Sequence, residues 1–170
     1  TTKEGNNGYT ITFKNPNGFS LMRVAATQDE AAIGQQTYPT LEDAIAAVAS
    51  SSEKTITLLD DVTVRGQIKI DDAEVILNGN NHILSAAEGT KIEDGGLIDI
   101  TANNATVQNM TINTNGSAKY GVQFYNSTGG ELIGVIINGG YYSSVNVNAS
   151  EVDMTNCTLN PGTGSYATID

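Results

Sequence analysis

The acidic side chains offer the first chemistry. Glu131, Glu151 and Asp153 make the densest acidic patch of the chain if Glu131 lies one structural repeat before the other two. Converging carboxylates are what a hard cation such as Ca2+ requires, because it takes about six to eight oxygen ligands. The basic residues that would act beside it, Arg65, Lys69 and Lys119, do not fall on the same repeat. A solvated acidic face is the plainer reading; Ca2+ is the one cation the patch would take, and no cofactor motif is present. Asp60-Asp61 and Asp71-Asp72 are adjacent pairs. Neighbours on a strand point to opposite faces and neighbours in a turn are solvated, so neither forms the spaced pair that glycoside hydrolysis needs. His82 has no second His or Cys near it in sequence, and it reads as a turn histidine. Cys157, the one cysteine, sits between Met154 and Leu159 and reads as a buried, inert thiol.

The aromatic residues suggest a different chemistry. Tyr120, Tyr125, Tyr141, Tyr142 and Tyr166 all lie in the second half of the chain. Rings on a rigid flat face stack on pyranose rings, while neighbouring amides supply hydrogen bonds. Tyr120, Gln123, Tyr125, Asn146 and Asn148 are the ligand-binding candidates of this kind. The competing reading is that the tyrosines close the edges of the repeats.

The elements that must position these residues repeat. Ala105 to Asn113, Gly130 to Asn138 and Ser150 to Asn160 superimpose as β-branched and aliphatic runs that close on Asn. Ile112, Ile137 and Leu159 fall 25 and then 22 residues apart. A second family interleaves with them, and its Ile98, Val122, Val145 and Ala167 fall 24, 23 and 22 apart. Two strand families on one period describe a coil that stacks on itself. The expected architecture is all-β, a single-stranded right-handed parallel β-helix of about five turns, the first and last incomplete. Alternation along each strand sends Ile98/Ile100, Val122/Phe124, Val145/Val147 and Ala167/Ile169 inward. It leaves Asp99, Gln123, Asn146 and Thr168 as an outward column, with Lys69 one turn earlier. Asn78, Asn113, Asn138 and Asn160 should mark equivalent bends, with amides hydrogen-bonding along the axis.

Before the coil, residues 1–36 form an N-terminal β segment. Gly8 to Phe13 and Phe19 to Val24 make a hairpin around Asn15-Pro-Asn-Gly18, and Ala31 to Gly34 with Gln36 to Tyr38 make a second, shorter pair. Residues 37–50 hold a helix with Thr40 at its N-cap, Glu42 and Asp43 in its first turn, and a stripe of Leu41, Ala44, Ile45 and Val48. So short a helix is marginal alone, and it should cap the apolar end of the coil with Leu41, Ile45 and Val48. Residues 51–170 are the coil, and Ser85 to Gly96 breaks its period as a protruding loop. The net charge of −11 excludes electrostatic binding of nucleic acid, and no apolar run approaches a membrane span. Thr1 opens no leader sequence and nothing after Tyr166 to Asp170 resembles a cap. The chain therefore reads as a segment of a longer polypeptide, with end-to-end association through an open last rung.

Thr37 to Ile45, Lys54 to Val64 and Val75 to Leu84 together resemble the opening of pectate-lyase-like β-helix domains of secreted and cell-surface bacterial proteins. The resemblance covers residues 36–170. It implies the capping helix, a first rung and irregular rungs after it. No catalytic motif of the group carries over residue by residue, and its members include lyases, hydrolases, adhesins and spacers. The expectation is a non-catalytic, extracellular or surface-anchored module that presents a flat face to glycan or to a host or cell-surface protein. A polysaccharide lyase or glycoside hydrolase is the alternative.

Overall fold

The computed structural model describes residues 28–170 in full, and before them the backbone of three strands. These are β1 (Thr2–Lys3), β2 (Gly8–Asn15) and β3 (Gly18–Ala25), an antiparallel sheet of its own. The expected hairpin is thus present, with Asn15 opposite Gly18. The turn residues Pro16 and Asn17 lie outside the described residues.

β4 (Ala31–Ile33) and β5 (Gln36–Tyr38) form the second short antiparallel pair, turning at Gly34 with φ 57°. β4 also pairs antiparallel with β6 (Thr55–Leu58), so this pair extends a sheet of the coil rather than standing apart from it. Between them lies α1 (Leu41–Val48), where Thr40 Oγ1 accepts a hydrogen bond from the Asp43 amide at 3.1 Å. Its other end is closed by Lys54, whose Nζ donates to the carbonyls of Val48 and Ala49. Leu41, Ala44 and Val48 are buried against the first rung, whereas Ile45 is only half-buried. The helix covers the coil end as expected, but Ala44 takes the central place assigned to Ile45. The small side chain lets the backbone approach the rung, and Ile45 is turned toward the rim beside Gln67, Ile68 and Lys69.

The rest is a parallel β-solenoid of about four turns. The first turn is β6, β7 (Val62–Val64) and β8 (Ile68–Ile70); the second is β9 (Ile76–Asn78), β10 (Ile83–Ala86) and β11 (Gly96–Ile100). In the third, β12 (Thr106–Asn113) spans two faces and β13 (Tyr120–Tyr125) the third. The fourth repeats this with β14 (Gly130–Asn138) and β15 (Ser143–Asn148). β16 (Val152–Thr155) and β17 (Thr158–Asn160) begin another turn, whose third side is a single bridge from Ile169 to Val145. Apolar columns fill the interior: Ile56, Leu77, Val107 and Leu132 on one face, Val62, Leu84, Ile112 and Ile137 on the next, Ile68, Ile98, Val122 and Val145 on the third. All twelve are buried.

Two expectations about register change. Ile169, not Ala167, stands opposite Val145, so the last rung is shifted by two residues and Asp170 replaces Thr168 in the outward column. Ile169 is 49% exposed. The Asn amides do form a ladder: Asn160 Nδ2 donates to Asn138 Oδ1 at 2.8 Å, and Asn138 Nδ2 to Asn113 Oδ1 at 2.9 Å. Asn78 is not its next member. Asn78 pairs with Gln108 across a different corner, and Ser85 stands opposite Asn113 instead. None of the three ladder Asn residues is left-handed; the left-handed backbone falls a residue or more beyond the strand, as at Asn115 and Gly139.

The segment between β10 and β11 is tied down rather than protruding. Ile92 is buried and its amide donates to the Ser117 carbonyl at 2.7 Å, while Gln67 Nε2 donates to the carbonyls of Asp94 and Gly96. Cys157 is half-buried, its Sγ 3.3 Å from the Leu132 carbonyl oxygen. Among the described residues no helix is long and apolar enough to cross a membrane.

Candidate functional site

One candidate surface is the outer side of the sheet β8, β11, β13, β15. Its parallel register places Lys69, Asp99, Gln123 and Asn146 side by side on successive rungs. Asp170 closes the column and covers Asn146, whose Nδ2 lies 3.2 Å from its Oδ2; Asn146, expected to face a ligand, is buried. Tyr125 stands beside Asn148 in the same register. All five ligand-binding candidates therefore share this sheet. Tyr120 and Tyr125 occupy opposite ends of β13, about 16 Å apart at the rise of a strand. The set is split accordingly: Tyr120 belongs to one rim, Tyr125 and Asn148 to the other.

The rim at Tyr120 is aromatic. The Tyr142 ring lies 6.3 Å from Tyr120, 5.9 Å from Tyr141 and 5.0 Å from Tyr166, centroid to centroid, with the first two contacts edge-to-face. Lys119 Nζ sits 5.9 Å from the centre of the Tyr142 ring and 2.7 Å from Asp94 Oδ1. Tyr142 remains 40% exposed and Tyr166 83%, so the group is a platform and not a core. The hydrogen bond and charge of Lys119 hold the Asp94 carboxyl below its ordinary pKa, and Asp94 in turn raises that of Lys119. Burial, then the Asp170 charge, raise the Tyr120 phenol, which stays a neutral donor toward Asp170. Tyr141, Tyr142 and Tyr166 lie outside the binding set expected from the sequence. Their signal was there: Tyr120, Tyr142 and Tyr166 are 22 and 24 residues apart, the coil's own period.

Asp99 is the unusual carboxylate of the column. Its Oδ1 is buried without a hydrogen-bond partner, pressed beneath Gly95 and Gln67. A Cβ at Gly95 would lie 3.1 Å from that oxygen and 2.6 Å from Gln67 Nε2, and the residue is left-handed at φ 88°. Burial raises the Asp99 pKa, with Asp71 and Asp94 adding to the effect and Lys69 opposing it.

On a second face, Glu131 and Asp153 are register neighbours, and Glu151 shares a shallow hollow with Asp153, Gly129 and Gly130. Thr106 Oγ1 donates to Glu131 Oε2 at 3.1 Å. Among the described residues, the group that brings three metal-ligating atoms within 4.8 Å of one another is a different one: Asp60, Asp61 and His82. His82, expected to stand alone, has its Nδ1 3.5 Å from Asp61 Oδ1. The partners are one coil turn apart, as the pairing of Val62 with Leu84 requires, so closeness in sequence could not reveal them. No family model, curated protein or solved structure matches the chain.

Proposed function

We propose that this coil is a non-catalytic, pectate-lyase-like β-helix module of a secreted or surface-anchored bacterial protein, and that it holds a glycan on the outer side of β8, β11, β13 and β15. The observation that carries the reading is the exposed tyrosine platform, Tyr120, Tyr142 and Tyr166 on successive rungs with Tyr141 beside them. Aromatic faces gain from stacking on the apolar C–H faces of sugars, and the Gln123 amide and the exposed Asp170 carboxylate lie along the same sheet to bond hydroxyls. A parallel ladder fixes these groups rigidly, which lowers the entropy cost of binding. Glycan-array screening followed by calorimetry is the test. Tyr142→Ala and Tyr166→Ala should each weaken binding of a captured glycan by about tenfold or more, the loss of one stacking contact of about 1.5 kcal/mol. Tyr125→Ala, on the far rim, should leave it nearly unchanged. Absence of any glycan ligand, or indifference to Tyr142→Ala, would overturn the reading.

A second reading, a polysaccharide lyase or glycoside hydrolase, draws on Asp99. A carboxyl whose pKa is raised by burial beside other carboxylates has the character of the acid half of a two-carboxylate mechanism. Pectin, alginate and xylan, incubated with the protein with and without Ca2+, separate the two. Release of reducing or unsaturated ends that is lost in Asp99→Asn would establish the enzyme.

A further inference from the structure

We propose that Asp60, Asp61 and His82 form a binding site for a divalent transition-metal cation, with Zn2+ as the fitting type, at the corner between the first two faces of the coil. His82 and Asp60 come together because the rungs stack. Leu84 pairs with Val62, and counting back two residues along each chain sets His82 above Asp60. The corner is held by backbone contacts. The His82 amide donates to the Gly79 carbonyl at 2.8 Å, the His82 carbonyl accepts from Thr111 at 3.2 Å, and the left-handed Asn81 donates to the Asn109 carbonyl at 2.8 Å. Each carboxylate is aimed in the same way: Asp61 Oδ1 accepts from the Ile83 amide and Asp60 Oδ1 from the Asp61 amide, both at 2.8 Å. Second bonds of this kind orient ligands in metal sites.

The spacing leaves room for a shared ion. Nδ1 to Oδ1 is 3.5 Å, long for a hydrogen bond between imidazole and carboxylate. Two ligands about 2.1 Å from one tetrahedral ion lie about 3.4 Å apart. The donor set selects the metal. One imidazole nitrogen with two carboxylates suits Zn2+ and its neighbours in the transition series, while Ca2+ would want more oxygens than this corner supplies. Three protein ligands also leave a coordination position for water or a further oxygen ligand. The site is independent of the tyrosine platform and stands or falls without it.

His82 is the only histidine of the chain, so one imidazole signal reports on the site. The test titrates Zn2+ into the tag-free 170-residue chain, followed by the long-range proton–nitrogen spectrum of that imidazole and by calorimetry. The expected result is a saturable shift at Nδ1 with Zn2+ and none with Ca2+ or Mg2+ at equal concentration. His82→Ala and Asp61→Asn should each weaken Zn2+ binding by about tenfold or more. Asp61→Asn keeps a side-chain oxygen for the Ile83 amide and so guards against a merely structural loss. Cys157→Ser should bind like the parent. An unmoved imidazole at millimolar Zn2+, equal response to Ca2+, or undiminished Zn2+ binding by His82→Ala would each overturn the proposal.

Discussion

Asp99 carries a penalty that pH should reveal. Its folded carboxyl titrates above the ordinary aspartate value of 3.8, chiefly because it is buried. The folded state therefore binds the proton more tightly than the unfolded state, and stability falls as pH rises from the unfolded value through the folded one. Asp99→Asn should remove that slope. The variant should match the parent at the acid end and exceed it increasingly as pH rises toward neutral, because it has no carboxylate charge to bury. Urea unfolding at a series of pH values measures it, and identical slopes for the two proteins would contradict the account. Other residues carry a local mark of their conformation. Asn104, Asn109, Asn115, Asn126 and Asn156 each begin an Asn-x-Ser/Thr triplet, and all five have φ between 51° and 56°. These five mark corners, because Asn tolerates the left-handed backbone better than most residues, while at the sixth triplet, Asn148-Ala149-Ser150, the left-handed residue is Ala149. His82 gave no such local sign, since its partners come from the neighbouring rung.

At the scale of elements, α1 tests how the coil end is sealed. Its boundaries were legible in Thr40 and the acidic first turn, but which apolar residue faces inward was not. Leu41, Ala44, Ile45 and Val48 form one stripe on a helical wheel, and only the approach of the helix to β6 and β8 chose Ala44 over Ile45. Leu41→Ala should cost about 2–5 kcal/mol by opening a cavity under the helix. Ile45→Asp should cost distinctly less, because its side chain can reach the rim. Thermal melts of the two variants decide the order, and the reverse order would mean that the helix sits with Ile45 inward. The segment between β10 and β11 departs from expectation for a similar reason. Its polar, glycine-rich composition suggested a free loop, but Ile92, Gln67 and the Lys119–Asp94 pair fasten it to the coil.

At the scale of the molecule, the period of 22 to 25 residues was enough to specify a stacked coil and the register of its central rungs. It could not specify the last rung, where a two-residue shift puts Ile169 and not Ala167 beside Val145. In the described coil, β16 and β17 pair on one side only. Edges of that kind template further pairing. The 170-residue chain should then associate as its concentration rises, and Ile169→Lys should reduce the association. Sedimentation velocity distinguishes this from a monomer that is unchanged over the whole range. The stacking has a mechanical side as well. Strands of successive turns bond to one another along the coil axis, so a pull on its two ends loads each rung's hydrogen bonds in tension, one rung after another, instead of shearing many together. Under axial load the coil would yield by peeling single turns at modest force, while resisting a sideways load far better. The coil should hold against a transverse load and unwind turn by turn along its axis.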